Sequence, residues 1–225
     1  PQAAWKSPLQ LKYLLEEKLK VEVRVDNDCV MLALAEKWLN RNALNEFCVI
    51  NVDYGIGSSF VINGEIFRGS LNGSGQIGHT IIDPNGKRCS CGRQGCLETV
   101  ASLSALKQAA GSHYADAPIL TSQQLLAAAE AGEPWIAEWA QRAAEAIGMS
   151  LYNFLNTLNI NQIWLYGRSC SFGEVWLDTI VRQIDFNPFD PRDTVKSQAT
   201  NVHFGKLDRA HQVLGIGYVY VEGNN

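Results

Sequence analysis

Apolar positions along this chain recur at helical spacing in some stretches and gather into short unbroken runs in others. Leu11, Leu14, Leu15 and Leu19 lie three to four residues apart, which predicts an amphipathic helix over 9–20 with Ser7-Pro8 as its start. Residues 21–25 alternate valine with charged side chains, the pattern of a half-buried strand that stops at Asp26-Asn27-Asp28. A second helix is predicted over 29–39. Residues 47–52 form an almost purely apolar run that ends in Asp53-Tyr54-Gly55-Ile56-Gly57, as expected of a strand covered on both faces. Residues 58–62 and 65–67 then read as a hairpin, because Asn63-Gly64 supplies the two positive-φ positions of a tight turn. A glycine-rich loop with Gly69, Gly73, Gly75 and Gly78 follows.

Beyond residue 100 the pattern turns mostly helical. Pro134 is well placed to open a long helix that keeps Ile136, Trp139, Ala143, Ile147, Leu151 and Phe154 near one face. A short buried strand over 163–165, a helix over 174–184, a strand over 202–204 and a last helix from Asp208 complete the reading. Strands alternating with helices indicate an α/β architecture. No internal repeat or low-complexity segment interrupts it.

Composition narrows the possibilities. The 225 residues are 46% hydrophobic with a net charge of −4 and a pI near 5.6, enough apolar material for one large domain or two lobes. No stretch concentrates Lys and Arg, so nothing forms an electrostatic footprint for a phosphate backbone. No apolar run is long enough to span a bilayer. The expectation is a cytoplasmic protein with no membrane partner.

The cysteines carry the strongest chemical signal. Three of the six, Cys89, Cys91 and Cys96, fall within eight positions, and His79 precedes them by ten. Three thiolates and an imidazole are the donor set that Zn²⁺ prefers in closed tetrahedral sites. Gly92 and Gly95 let the loop double back. Unligated, such closely spaced thiols in a loop with Lys87 and Arg88 would be open to oxidation. With four protein donors no position remains for a reactive water, so the zinc is expected to be structural. Cys29, Cys48 and Cys170 sit in apolar surroundings and read as buried free thiols.

Gly75-Gln76-Ile77-Gly78-His79, followed by Cys89-Ser90-Cys91-Gly92-Arg93-Gln94-Gly95-Cys96-Leu97-Glu98, resembles the signatures of the ROK family of repressors, open reading frames and sugar kinases. Asn27-Asp28 resembles that family's Asn-Asp pair, and 53–57 falls where the second phosphate loop of its kinases lies. The likeness is clear over 21–102 and weaker elsewhere. It implies the actin-like or hexokinase-like (ribonuclease H-like) fold, two α/β lobes with sugar in the cleft, incomplete here at the N-terminus. On that implication residues 29–207 are the large lobe with its zinc loop at 79–96, and 1–28 with 208–225 are what remains of the small one. Asn27, Asp28, Gln76, His79 and Glu98 match positions that face the sugar. Zinc on one nitrogen of His79 would leave the other for a hydroxyl, and in a kinase Asp28 would be the general base. Alone, Asn27-Asp28 reads as a turn after a strand and Glu98 as an ordinary helix start. Beside the cysteine motif they read as a site.

The kinase pattern breaks at several points. Asp53-Tyr54-Gly55 stands where the family's kinases have Gly-Thr-Gly, placing a carboxylate and a bulky ring where phosphates would lie. Tyr166-Gly167-Arg168-Ser169 replaces a glycine cluster near the adenosine, no Asp-x-Gly-x-Thr loop precedes Asn27, and Gln76 replaces a Glu. ATP and Mg²⁺ are therefore not expected, and no catalytic residue is assigned. The resemblance favours the sugar-sensing region of a regulator of the N-acetylglucosamine or xylose repressor type. Its effector would be a small sugar or sugar phosphate, and it would reach DNA only through an N-terminal helix-turn-helix outside this chain. The alternatives are a fragment of an ATP-dependent sugar kinase and a zinc-stabilised interaction domain with no sugar ligand. Family regulators are homodimers or homotetramers, and Trp135, Trp139, Tyr152 and Phe154 on the long helix supply aromatic surface for such an interface.

Overall fold

The computed structural model describes residues 10–40, 44–114, 120–184 and 200–222. The expected helix start at Ser7-Pro8 lies outside them. The helix itself, α1, runs over Leu11–Leu19 and buries no residue. The strand expected over 21–25 is absent: these residues are irregular, and Val21 and Val25 are more than half exposed. A strand needs a neighbour to pair with, and no described strand runs beside this one. Side chains hold it instead, Glu16 accepting from the Val23 amide and the Tyr220 hydroxyl from the Arg24 amide.

The centre is a five-stranded mixed sheet, built from β1 (Phe47–Val52), β2 (Ile56–Ile62), β3 (Glu65–Ile66), β4 (Gln162–Tyr166) and β5 (Asn201–Phe204) in the order β3-β2-β1-β4-β5. β1 pairs antiparallel with β2 and parallel with β4, which pairs parallel with β5. The β2–β3 turn falls at Asn63 and Gly64, both at positive φ, as that dipeptide favours.

Both faces of the sheet are covered, and the period of two along each strand decides what covers them. Cys48, Ile50 and Val52 of β1, with Ile163 and Leu165 of β4, enter the larger core. That core is shared with α4 (Leu103–His113), α5 (Ser122–Glu130), α6 (Pro134–Leu158) and α7 (Glu174–Ile184). Phe47 and Val49, with Trp164 and Tyr166, face a smaller core beneath α2 (Asp28–Leu39). Coverage on both sides explains why β1 is apolar at every position but Asn51 rather than alternating. The last helix, α8 (Arg209–Glu222), lies along α2, where Trp38 stacks on Tyr218.

α6 starts at Pro134 and ends at Asn159 in the left-handed conformation. Its buried stripe includes Ile136, Ala143, Ile147, Leu151 and Leu155. The rings expected to face a second subunit are used within the chain. Trp139 is buried beside Phe172, Phe154 stacks on Phe60, the Trp135 indole donates to the Tyr114 hydroxyl, and Tyr152 packs on the core. Aromatic count alone does not distinguish an interface from a thick core, because both bury the same groups.

One polar contact ties three layers. Glu36 of α2 is buried and accepts from the Tyr166 hydroxyl and from Asn40, and that hydroxyl in turn accepts from the Leu207 amide. Burial pushes the Glu36 carboxyl above its usual range against the pull of these donors.

Candidate functional site

A cleft of about 720 Å³ opens at the C-terminal ends of β1 and β4, the end at which parallel α/β sheets receive ligands. Asn27, Asp28, Gln76, His79 and Glu98 all line it, although they come from three separate segments of chain. Asn27 is the N-cap of α2, its side-chain oxygen accepting from the Cys29 amide at 2.8 Å. This cap uses the amide oxygen and not the amide nitrogen. Asp28 occupies the first turn of the same helix, where the dipole favours a carboxylate. Asp26 fixes the approach: it accepts from the Asn27 amide and forms a two-pronged ion pair with Arg68 at 2.6 and 3.1 Å.

One rim of the cleft is the cysteine loop. Gln76 precedes a single 3₁₀ turn, Ile77–His79, that delivers His79. Residues 87–95 then double back through hydrogen bonds from the Cys89 amide to the Arg93 carbonyl and from the Gly95 amide to the Lys87 carbonyl. Gly95 sits at φ +70, and a Cβ there would lie 1.4 Å from the Asp83 carbonyl oxygen, so no other residue fits. The result gathers the Nδ1/Nε2 and Sγ ligand atoms of His79, Cys89, Cys91 and Cys96 within 4.8 Å of one another. Nδ1 of His79 is 3.5 Å from the Cys89 sulfur, and the sulfurs of Cys91 and Cys96 are 3.6 Å apart. This group can hold a metal ion. Without one, the Arg93 amide holds the Cys91 thiol below its ordinary range, while burial pushes Cys96 up to about 12. Of the remaining thiols Cys29 and Cys48 are buried, and Cys170 is half-buried.

Two residues past Cys96 begins α3 (Glu98–Ala101). Glu98 turns back across the cleft floor and accepts from the Ile56 amide at 3.1 Å, linking the cysteine loop to the first residue of β2.

The opposite rim follows from sheet register. Asn51 of β1 is level with Tyr166 of β4, so residues two further along each chain leave the sheet side by side. Between them Gly167 takes φ +99, where a Cβ would fall 2.2 Å from the Val52 carbonyl oxygen. Arg168 then reaches Asp53, Nε lying 3.1 Å from both carboxylate oxygens and Nη2 2.5 Å from Oδ1. Its guanidinium carbon stacks 4.4 Å from the centre of the Tyr54 ring. Burial opposes charge on Asp53, but Arg168 and the Tyr54 amide outweigh it and hold the carboxyl below its usual value.

The profile of the ROK family matches residues 1–202. This chain belongs to the ROK family. It is 65% identical over 230 residues to "Uncharacterized protein YphH" of Escherichia coli K12, an alignment covering 99% of this chain and 58% of that protein. It is 31% identical to a glucokinase of Halalkalibacterium halodurans, with 78% of this chain and 57% of the enzyme aligned. It is 30% identical to the DNA-binding transcriptional dual regulator NagC of Escherichia coli, over 74% of this chain and 43% of NagC. The chain thus spans about half the length of such relatives. Among solved structures, a ROK hexokinase from Thermus thermophilus superimposes with a TM-score of 0.78 at 24% identity, over 96% of this chain and 71% of the enzyme. A ROK transcriptional regulator homologous to the Escherichia coli MLC protein gives 0.74 at 24% identity, over 93% of this chain and 54% of the regulator. The architecture is therefore the α/β ROK fold that kinases and regulators share.

In this ROK chain sequence reasoning singled out Asp53 and Arg168 separately, as departures from the kinase pattern, and missed that they meet. The signal was present: two apolar strands, each followed by a glycine within three residues, are natural neighbours in a parallel sheet. Asn51 and Ser90, which also line the cleft, had no pattern to mark them. Among the described residues no helix is long and apolar enough to cross a membrane.

Proposed function

We propose that this chain is the sugar-sensing, effector-binding region of a ROK transcriptional regulator, stabilised by a structural Zn²⁺. The observation that carries the reading is the contrast within one cleft. On one side a converging set of acceptors and donors, Asn27, Asp28, Gln76, His79 and Glu98, is kept. On the other, Asp53, Arg168 and the Tyr54 ring fill one another's contacts where the resembling kinases cradle phosphate. Phosphoryl transfer needs amides and cations available to the nucleotide, whereas sugar recognition needs only hydrogen-bonding groups around a hydroxyl-rich ring. Repressors occur among the relatives.

The donor set fits zinc. At a Zn–S distance of about 2.3 Å a tetrahedron separates its sulfurs by roughly 3.8 Å, close to the 3.6 Å between Cys91 and Cys96. With Nδ1 of His79 turned to the sulfurs, Nε2 is the nitrogen left to face the cleft, and the ion fixes that tautomer. Its service is to cross-link the loop. On the same reading residues 29–207 are the large lobe, 1–28 and 208–225 belong to the small one, and the protein is cytoplasmic. DNA is reached through a segment outside this chain, in a homodimer or homotetramer whose symmetry matches paired half-sites.

One observation favours a second reading, a sugar kinase: Asp28 stands in the cleft as a general base would, and a glucokinase is among the relatives. A thermal-shift screen of hexoses, pentoses and amino sugars on the full-length protein, with a coupled ATP-dependent phosphorylation assay, separates the readings. The regulator reading expects a sugar-induced rise in Tm and no turnover. Turnover of about 1 per second or faster would establish the kinase. A protein whose Tm responds to no sugar would leave the interaction domain.

A further inference from the structure

Carboxylates of the chain itself occupy anion-binding groups of the cleft. At the β1–β2 turn the Tyr54 amide donates to Asp53 Oδ1 at 2.6 Å, and the Ile56 amide donates to Glu98 Oε2 at 3.1 Å. Two of the backbone amides that a phosphate at this turn could use are thus each spent on a carboxylate of the chain itself. Arg168 is the one Lys or Arg among the described residues lining the cleft. The Nε–Nη2 edge of its guanidinium, the geometry that grips phosphate in two-pronged fashion, is spent on Asp53. The Tyr54 ring covers its face. Three carboxylates, those of Asp28, Asp53 and Glu98, line the same space, so Asp28 and Glu98 face the ligand with no Lys or Arg of the lining beside them.

We infer that the cleft accepts an uncharged, unphosphorylated sugar and excludes that sugar's phosphate esters, with Asp53 and Glu98 acting as built-in occupants of the anion positions. The inference rests on the reading of the cleft as a sugar site and selects between the two ligand classes that reading leaves open. A phosphate ester would have to displace Asp53 to take the Nε–Nη2 edge of Arg168, and one that took the remaining Nη1 edge would lie beside that carboxylate, anion against anion. A sugar hydroxyl faces no such conflict, since it can donate to Asp28 or Glu98 and accept from Asn27.

The test is titration calorimetry on the full-length protein with matched pairs. Glucose, galactose, mannose and N-acetylglucosamine are each compared with their own 1- and 6-phosphates, and inorganic phosphate is the anion probe. For any sugar that binds, its esters are expected to bind at least about tenfold more weakly, and inorganic phosphate should not compete. In Asp53→Asn, which removes a carboxylate and frees the Arg168 edge, the gap between sugar and ester should narrow. An ester that binds the unaltered protein as tightly as its sugar overturns the inference while leaving the sugar site standing. If no member of any pair binds and the thermal-shift screen finds no other sugar, the sugar reading fails and the inference falls with it. A gap that Asp53→Asn leaves unchanged overturns the role given to Asp53.

Discussion

The two rims of the cleft face each other across one space and are held by different physics. The cysteine loop buries little besides its own ligands and has no place in the sheet. It is held by turn hydrogen bonds, by the Ile81–Cys96 and Arg88–Gln94 bridges, and by the four side chains gathered at one point. The Asp53–Arg168 rim stands on the ends of β1 and β4, whose Val52 and Leu165 are fully buried, and its ion pair lies on a framework that exists without it. On the zinc reading a metal cross-link carries the first rim, whereas sheet register carries the second. The difference predicts opposite responses to loss of the group at each tip. The cysteine loop should lose its shape, and the sheet rim should lose only its charge pattern.

The broadest effect, on metal, stability and sugar response together, is expected where the cross-link is cut. Cys96 is fully buried and lies two residues before Glu98. Cys96→Ser should reduce bound zinc below about half an equivalent and destabilise the chain by roughly 3 kcal/mol, a fall in Tm of about 6–12 °C. Loss of sugar response should accompany it, because Glu98 and His79 both take their positions from this loop. A Cys96→Ser protein with full zinc content, or one depleted of zinc with unchanged Tm, would break the comparison on this side.

Damage to the opposite rim should cost stability without touching the metal. Leu165→Ala opens a cavity beneath that rim and is expected to cost about 2–5 kcal/mol in a urea titration, with zinc content unchanged. Gly167→Ala should cost less, about 1–3 kcal/mol. It forces a side chain into the left-handed region and against the Val52 carbonyl, and the neighbouring Arg168 should lose its register with Asp53. Zinc loss in either variant would mean that the two rims are not independent.

The same division explains what the sequence made legible. The apolar run of β1, the Asn63-Gly64 turn and the Pro134 start of α6 are local signals, and each element lies where its pattern placed it. The His79, Cys89, Cys91 and Cys96 cluster, which could hold a metal ion, was legible because its four side chains crowd into eighteen positions. Residues 21–25 misled because alternation says that a segment can pair, and not that a neighbour exists to pair with it. The aromatic side chains of α6 misled for a related reason: their partners Phe60, Tyr114 and Phe172 come from elsewhere in the chain. The Asp53–Arg168 pair, 115 residues apart, depends on strand order, which no local pattern states.

The smallest effect concerns that pair, and its sign is set by acidity. The Asp53 carboxyl lies below its ordinary value in the folded chain, so its ionised form is favoured by folding. Its contribution is fully present at pH values above the unfolded value, near 3.8, and is lost as pH falls through the lower, folded value. Arg168 is close to half exposed and Asp53 a quarter exposed, so solvent screening limits the pair to less than about 1 kcal/mol. Arg168→Met should therefore lower stability by that small amount at neutral pH. The difference from the unaltered protein should shrink below pH 3.8, as Asp53 becomes protonated in both. Urea titrations of the two proteins between pH 3 and 7 measure it, and 0.5 M salt at neutral pH should shrink the difference as well. A difference that stays constant down to pH 3 and ignores salt would assign the effect of Arg168 to its stacking on Tyr54 and not to its charge.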